Sequence, residues 1–400
     1  MNFPEGKFTH DESILPYVIL KPMEEGETIQ GVVEKLVFGG QGLIRHKGMV
    51  VFVADVVPGE EVIVRITQKK RSYLVATLEQ VVTQVPFRIQ PKCSYFGVCG
   101  GCQLQHIAYT KQLEFKQQMV QEALRLEHPI EIVPAQKQFA YRRKISLHAR
   151  EGKTGYYARD NVSLVAIDHC PIFTEESLVP FQNSLDGTIM KRPDGSLHRI
   201  KEGCDKEGCF EEEVDGLKIY TSPRVFLQNY PEQSLLLYHD VLAIMKRLAP
   251  KAAVLDLYCG VGILSLLAAR QGHNVVGIEC NKQAVKCAKK SALTNGCRDV
   301  TFVAGMVEQQ LLREVKKRAF DVWIVNPPRQ GLSEQVIDHI LACQPPFLIM
   351  ISCMPPTLAR DLKKLAMYEM VEIKAYDMFP QTTHVETMVV LHLTPPRESK

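Results

Sequence analysis

An α/β fold built on a doubly wound sheet, preceded by a small β-barrel and a mixed α+β region, is what this 400-residue sequence predicts. Three observations carry the prediction. From Pro231 onward, helical patterns alternate with short apolar runs, as in a sheet with helices on both faces. One such run, Ala253–Leu257, leads into a Gly260-Val261-Gly262 turn. Between Gly26 and Val82, β-rich runs are broken by glycine at the spacing of a small OB-like barrel. The expected division is 22–82 for the barrel, 83–220 for the mixed region and 221–400 for the α/β domain. So long a chain exceeds what one core of ~100–150 residues usually supports.

The barrel strands are expected at Thr28–Lys35, Gly39–Leu43, Met49–Val53, Glu61–Thr67 and Tyr73–Val82. The loop from Gln68 to Tyr73 sets Lys69, Lys70 and Arg71 beside an aromatic ring, which suits phosphate contact and base stacking and equally suits a solvated hairpin tip. In the mixed region a helix is expected from Tyr109 to Arg125. The run Arg142-Arg143-Lys144 then opens a half-buried strand marked by Ile145, Leu147 and Ala149. The polar stretch from Glu202 to Cys209 reads as a loop with two free thiols. The α/β strands are expected at Val254–Leu257, Val275–Ile278, Val300–Val303, Val322–Val325 and Phe347–Ile351, closed by Val371–Tyr376 and Thr387–Leu393.

No apolar run approaches the ~20 residues that span a bilayer, and the first six residues lack a basic region followed by an apolar one. A cytoplasmic enzyme with no membrane association is expected. The formal net charge of +3 neither requires nor excludes a polyanionic partner. Twelve cysteines in a reducing compartment argue for ligands where they cluster. Cys93, Cys99 and Cys102 form C-x5-C-x2-C with glycines between, and Cys170, followed by Pro171, is the best fourth ligand. A [4Fe-4S] cluster competes here with zinc, which more often uses two C-x2–4-C knuckles where only one is present.

Asp256 and the glycine turn, with Glu279 ending the next apolar strand, form a nucleoside-cofactor pattern in which the carboxylate accepts from both ribose hydroxyls. The third glycine of a dinucleotide fingerprint is replaced by Ser265, so S-adenosylmethionine fits better than NAD. Cys353 follows the apolar strand Phe347–Ile351 and thus lies at a strand's carboxyl end, where open α/β sheets bind ligands. Taken alone, Cys353 is also readable as a packed core thiol and Glu386 as a surface charge.

Together these stretches resemble the RNA 5-methyluridine (uracil-C5) methyltransferases over nearly the whole chain. The resemblance rests on the barrel, C-x5-C-G-G-C with a later C-P, Phe226-Leu227-Gln228, Asp256–Gly262 and Asn326-Pro327-Pro328-Arg329. It continues through Ser352-Cys353 with Thr357-Leu358-Ala359-Arg360-Asp361, and His384-Val385-Glu386-Thr387. It implies a TRAM-like barrel, an iron–sulfur RNA-binding region and a Rossmann-like S-adenosylmethionine-dependent domain. It further implies Cys353 as the nucleophile at uracil C6 and Glu386 as the base at C5, with Gln228, Tyr258, Glu279 and Asn326 at the cofactor. The implied partner is structured RNA, with no obligate protein partner. Domain order and cluster cysteines most resemble the 23S rRNA enzymes. The family commonly has aspartate where Asn326 stands and asparagine where Met354 stands. An amino-directed base methylase using Asn326-Pro327-Pro328, or a non-catalytic RNA-binding assembly factor, are the alternatives.

Overall fold

The computed structural model describes residues 24–173, 177–179, 187–191, 195–201, 210–222 and 225–394. The first six residues and the stretch 202–209 lie outside the described residues. The chain divides into two compact units, one containing residues 41–84 together with the segment that ends at Lys35, the other containing residues 85–400.

The first unit is a six-stranded sheet. Its strand Glu61–Lys69 shows why it folds: Val62, Val64 and Ile66 alternate with exposed or half-buried neighbours and point into a core shared with Val51, Val53 and Leu74. Thr28–Val32 pairs antiparallel with Glu61–Lys69 on one side, and just beyond it Glu34 N donates to Leu43 O at 2.8 Å. One stretch of chain therefore serves both edges, and the sheet returns on itself. The expected basic loop is shorter than its sequence suggests. Lys69 ends the strand and pairs with Glu24 at 3.1 Å, and the Tyr73 ring packs edge-on against Phe52. Tyr73 is thus a packing residue here rather than a free stacking platform.

The second unit is organised around an eight-stranded mixed sheet. Its order is Val300–Ala304, Asn274–Glu279, Ala253–Leu257, Val322–Val325, Phe347–Ser352, Glu386–Leu393, Tyr368–Tyr376 and Glu131–Val133. Glu386–Leu393 alone runs antiparallel to both of its neighbours. The central strands are buried on both faces. Val254 and Ile324 join one apolar layer with helix Ile263–Arg270, and Leu255, Trp323 and Val325 join the other with helix Glu334–Cys343. Such strands read as continuous apolar runs, which is why the sequence reveals them. Two helix starts are fixed by side chains: Asn281 Oδ1 accepts from Gln283 N and Ala284 N, and Ser333 Oγ accepts from Val336 N, caps worth about 1 kcal/mol each.

Glu131–Val133, which sequence reasoning leaves unassigned, is the outermost strand of this sheet and runs parallel to Tyr368–Tyr376. A separate five-stranded antiparallel sheet includes Lys144–Arg150, Lys153–Tyr157 and Leu164–Ala166. Helix Tyr109–Leu124 ends at Arg125, which adopts a left-handed φ of 56°.

Candidate active site

The carboxyl ends of the parallel strands surround a cleft. Gln228, Tyr258 and Asn326 line it, with Phe226, Tyr238 and Asp256 and the glycine turn. Asp256 is buried, accepts from Ser265 Oγ, and is pushed up by burial to about 7. Ser265, standing where a third glycine would be, thus has a role: it holds this carboxyl. Tyr258 has a left-handed φ of 64°, a strained conformation for a side-chain-bearing residue, at the turn the backbone makes above the strand.

Glu279 stands against the glycine turn that lines the cleft. Its carboxylate accepts from Gly260 N at 3.1 Å and Asn281 N at 2.7 Å, so it braces the glycine turn from the next strand's end. Gly262 is the tightest point of that turn: at φ 77°, a Cβ would sit 2.5 Å from the Phe302 ring, whereas at Gly260 it would meet open space. Gly262→Ala is expected to cost at least about 2 kcal/mol, and Gly260→Ala about 1 kcal/mol. Thermal melts would check the contrast, and equal melting temperatures for the two variants would refute it.

Strand Phe347–Ser352 pairs with Glu386–Leu393 in a register that sets Ser352 opposite Thr387. The next residue on one strand, Cys353, and the first residue of the other, Glu386, therefore flank the same end of one ladder. Helix Pro355–Lys364 begins two residues after Cys353, so the thiol also lies by a helix N-terminus. Burial pushes the Cys353 thiol up and the Glu386 carboxyl raises it further, while Arg329 lowers it. Glu386 is 3% exposed. Burial raises its carboxyl to about 8 against the pull of Arg329. Tyr238, in the wall of the cleft, is held well above the usual phenol range by burial first and then by Asp256 and Glu386.

The surrounding motif residues hold these groups in position. Thr357 Oγ1 donates to Arg329 O, Arg360 Nη2 donates to Gln330 O, and Asp361 accepts from Leu332 N at 2.8 Å. The segment before Glu386 is fixed from the central region. Asp377 accepts from Lys116 Nζ at 2.6 Å and Tyr109 OH at 2.9 Å, Tyr141 OH donates to Pro380 O, and Gln103 N and Leu104 N both donate to Gln381 O. None of these brace residues has a sequence signal as a functional group; Gln112 and Lys116, polar at helical spacing beside buried Phe115 and Met119, are the only hint.

Cys93, Cys99, Cys102 and Cys170 line one pocket with Arg142. Among the described residues no group of three or more His, Cys, Asp or Glu side chains is arranged to hold a metal ion. The four cysteines are free, and burial raises Cys102 to about 12 and Cys170 to about 11. The loop carrying Cys170 is pinned by Ala140 N to Pro171 O and Arg142 N to Ile172 O. The basic run before the strand is largely committed inside the fold. Arg143 is ion-paired with Glu212, Arg142 Nε donates to Lys144 O, and Lys144 is half-buried.

Three comparisons with known proteins point to one family. The family described as tRNA (Uracil-5-)-methyltransferase matches residues 237–394. An uncharacterized RNA methyltransferase of Protochlamydia amoebophila is 39% identical over 91% of this chain and 97% of its own length. One from Thermosynechococcus vestitus is 31% identical over 92% and 98%. The crystal structure of Pyrococcus abyssi tRNA (uracil-54, C5)-methyltransferase in complex with S-adenosyl-L-homocysteine superposes with a TM-score of 0.73. It is 25% identical and covers 91% of this chain and 100% of that one. On these matches the chain belongs to the S-adenosylmethionine-dependent RNA uracil-C5 methyltransferases.

Proposed function

We propose that this enzyme methylates C5 of one uridine in a structured RNA through a covalent Cys353 adduct. The observation that carries the reading is the register of Ser352 with Thr387, which supports a working pair of Cys353 and Glu386 beside the cleft. S-adenosylmethionine bound in that cleft supplies an electrophilic methyl group. Gln228, Tyr258 and Asn326 would line its site, and Glu279 would shape it through the glycine turn.

Uracil C5 is too weak a nucleophile to take a methyl group unaided. Addition of the Cys353 thiolate to C6 moves an electron pair to C5, and that carbanion takes the methyl group. Glu386, ionised, then removes the C5 proton. The released pair restores the C5–C6 double bond and Sγ leaves as thiolate. Arg329, beside both groups, favours the thiolate and the carboxylate alike.

The four pocket cysteines would hold a [4Fe-4S] cluster. Four thiols around one pocket, one of them followed by Pro171, are the donor set that such a cluster takes, and the single C-x2-C knuckle speaks against zinc. Residues 22–82 we read as a TRAM-like barrel that presents Lys70 and Arg71 to RNA phosphates; both are exposed. Target uridines in folded RNA must be flipped out to reach Cys353. Domain order and cysteine pattern favour 23S rRNA. A tRNA target is the second reading, since a tRNA enzyme aligns along nearly the whole chain.

Mapping 5-methyluridine in total RNA from cells with and without the gene would assign the target: one 23S position is expected to lose its methyl group, and loss confined to tRNA would select the second reading. RNA carrying 5-fluorouridine should form a covalent complex with the enzyme, because fluorine at C5 blocks proton removal. Cys353→Ala should form none. Undiminished methyl transfer by that variant would rule out the covalent route.

A further inference from the structure

His384 belongs to the segment that leads into Glu386, yet its ring takes no part in the addition, methyl transfer or proton removal. Its Nε2 lies 3.3 Å from Arg329 Nη2. A guanidinium only donates, so Nε2 must accept and the proton of a neutral ring must sit on Nδ1. The ring is neutral: burial first, then Arg329, Lys116 and Arg142, hold it down to about 4. It is also fixed in place, with the Phe379 ring edge-on at 5.8 Å and His384 N donating to Thr382 Oγ1.

Arg329 is a residue that needs such an anchor. It is exposed, its backbone is tied by Thr357, and its long side chain would otherwise sample many rotamers. Its guanidinium lies close enough to the Cys353 sulfur to pull that thiol down. The charged groups that face that thiol are Arg329, which favours the thiolate, and Glu386, which opposes it.

We infer that His384 is a positioning residue: its Nε2 holds the Arg329 guanidinium against the Cys353 thiol, and so sets how much thiolate is available. The value of this contact to turnover rests on the reading of Cys353 as nucleophile. The contact itself is testable without RNA.

The test is alkylation of the full-length enzyme by iodoacetamide across pH, with Cys353 followed by peptide mass spectrometry and the exposed Cys280 as internal control. His384→Phe removes the acceptor and keeps an aromatic ring. It should move the Cys353 profile up by about one pH unit and slow its alkylation near neutral pH about tenfold, with Cys280 unchanged. His384→Gln, whose amide oxygen accepts a hydrogen bond, should restore most of the rate. Arg329→Gln should produce the same upward shift, and adding His384→Phe to it should shift nothing further. A folded His384→Phe with the wild-type Cys353 profile would overturn the inference. So would an Arg329→Gln profile that does not move, which keeps the test decisive if His384→Phe fails to fold. Failure of the nucleophile reading appears separately, as methyl transfer by Cys353→Ala.

Discussion

Glu386→Gln is expected to stop the reaction after the adduct has formed. Removal of a well-placed base typically costs 10²–10⁴-fold, and here about a thousandfold loss of turnover is expected. The Cys353-linked RNA should accumulate with unmodified substrate, since addition to C6 does not need the carboxylate. Denaturing electrophoresis of enzyme mixed with labelled RNA would show the shifted band. A variant that turns over at the wild-type rate would remove Glu386 from the mechanism. The wild-type rate should rise with pH as the carboxyl, held near 8 by burial, ionises. The same shift has a stability consequence. The folded chain keeps this proton up to about 8, while an unfolded chain loses it near the ordinary value of 4.5. Stability therefore falls as pH rises between those values. Above that window Glu386→Gln should be the more stable protein, by on the order of a few kcal/mol. Below the window the two should melt together.

Lys116→Met is expected to be the most damaging change far from the reacting groups. Lys116 and Asp377 are both fully buried, and Lys116 Nζ donates to Asp377 Oδ1 and to Phe379 O. Breaking a buried pair from one side leaves an uncompensated charge, a loss of about 3–5 kcal/mol. Replacing both partners, as in Lys116→Met with Asp377→Leu, should recover part of it. Melting temperatures would check both variants, and a single variant melting with the wild type would show that the pair is dispensable. Methyl transfer should fall with Lys116→Met as well, because Asp377 and Phe379 open the segment that ends at Glu386.

Much of the fold was legible because its strands are short, apolar and buried on both faces. Val322–Val325 has the expected bounds, and other strands differ by a residue or a few at their ends. Glu131–Val133 was not legible. Three residues whose only ladder is with a strand more than two hundred positions away leave no local signal. The site was legible as a set of residue types and not as a set of contacts. Nothing in the spacing of Glu279 says that Gly260 N and Asn281 N take up its carboxylate. Nor does the run Arg142-Arg143-Lys144 announce that Arg143 meets Glu212. Both facts are tertiary, and tertiary partners decide whether a charge is available to a ligand. The thiol–carboxyl pair came from family resemblance; its proximity comes from a register that a single sequence cannot reveal.

That register makes the two strands intolerant of changes in length. Side chains alternate faces along a strand, so inserting or deleting one residue between Phe347 and Ser352, or within Glu386–Leu393, would turn the far end of the ladder over. Sulfur and carboxyl would then look to opposite sides of the sheet with every atom of both still present. Point substitutions along these strands can be graded by how much they weaken packing, but an indel there acts as a switch with no intermediate setting.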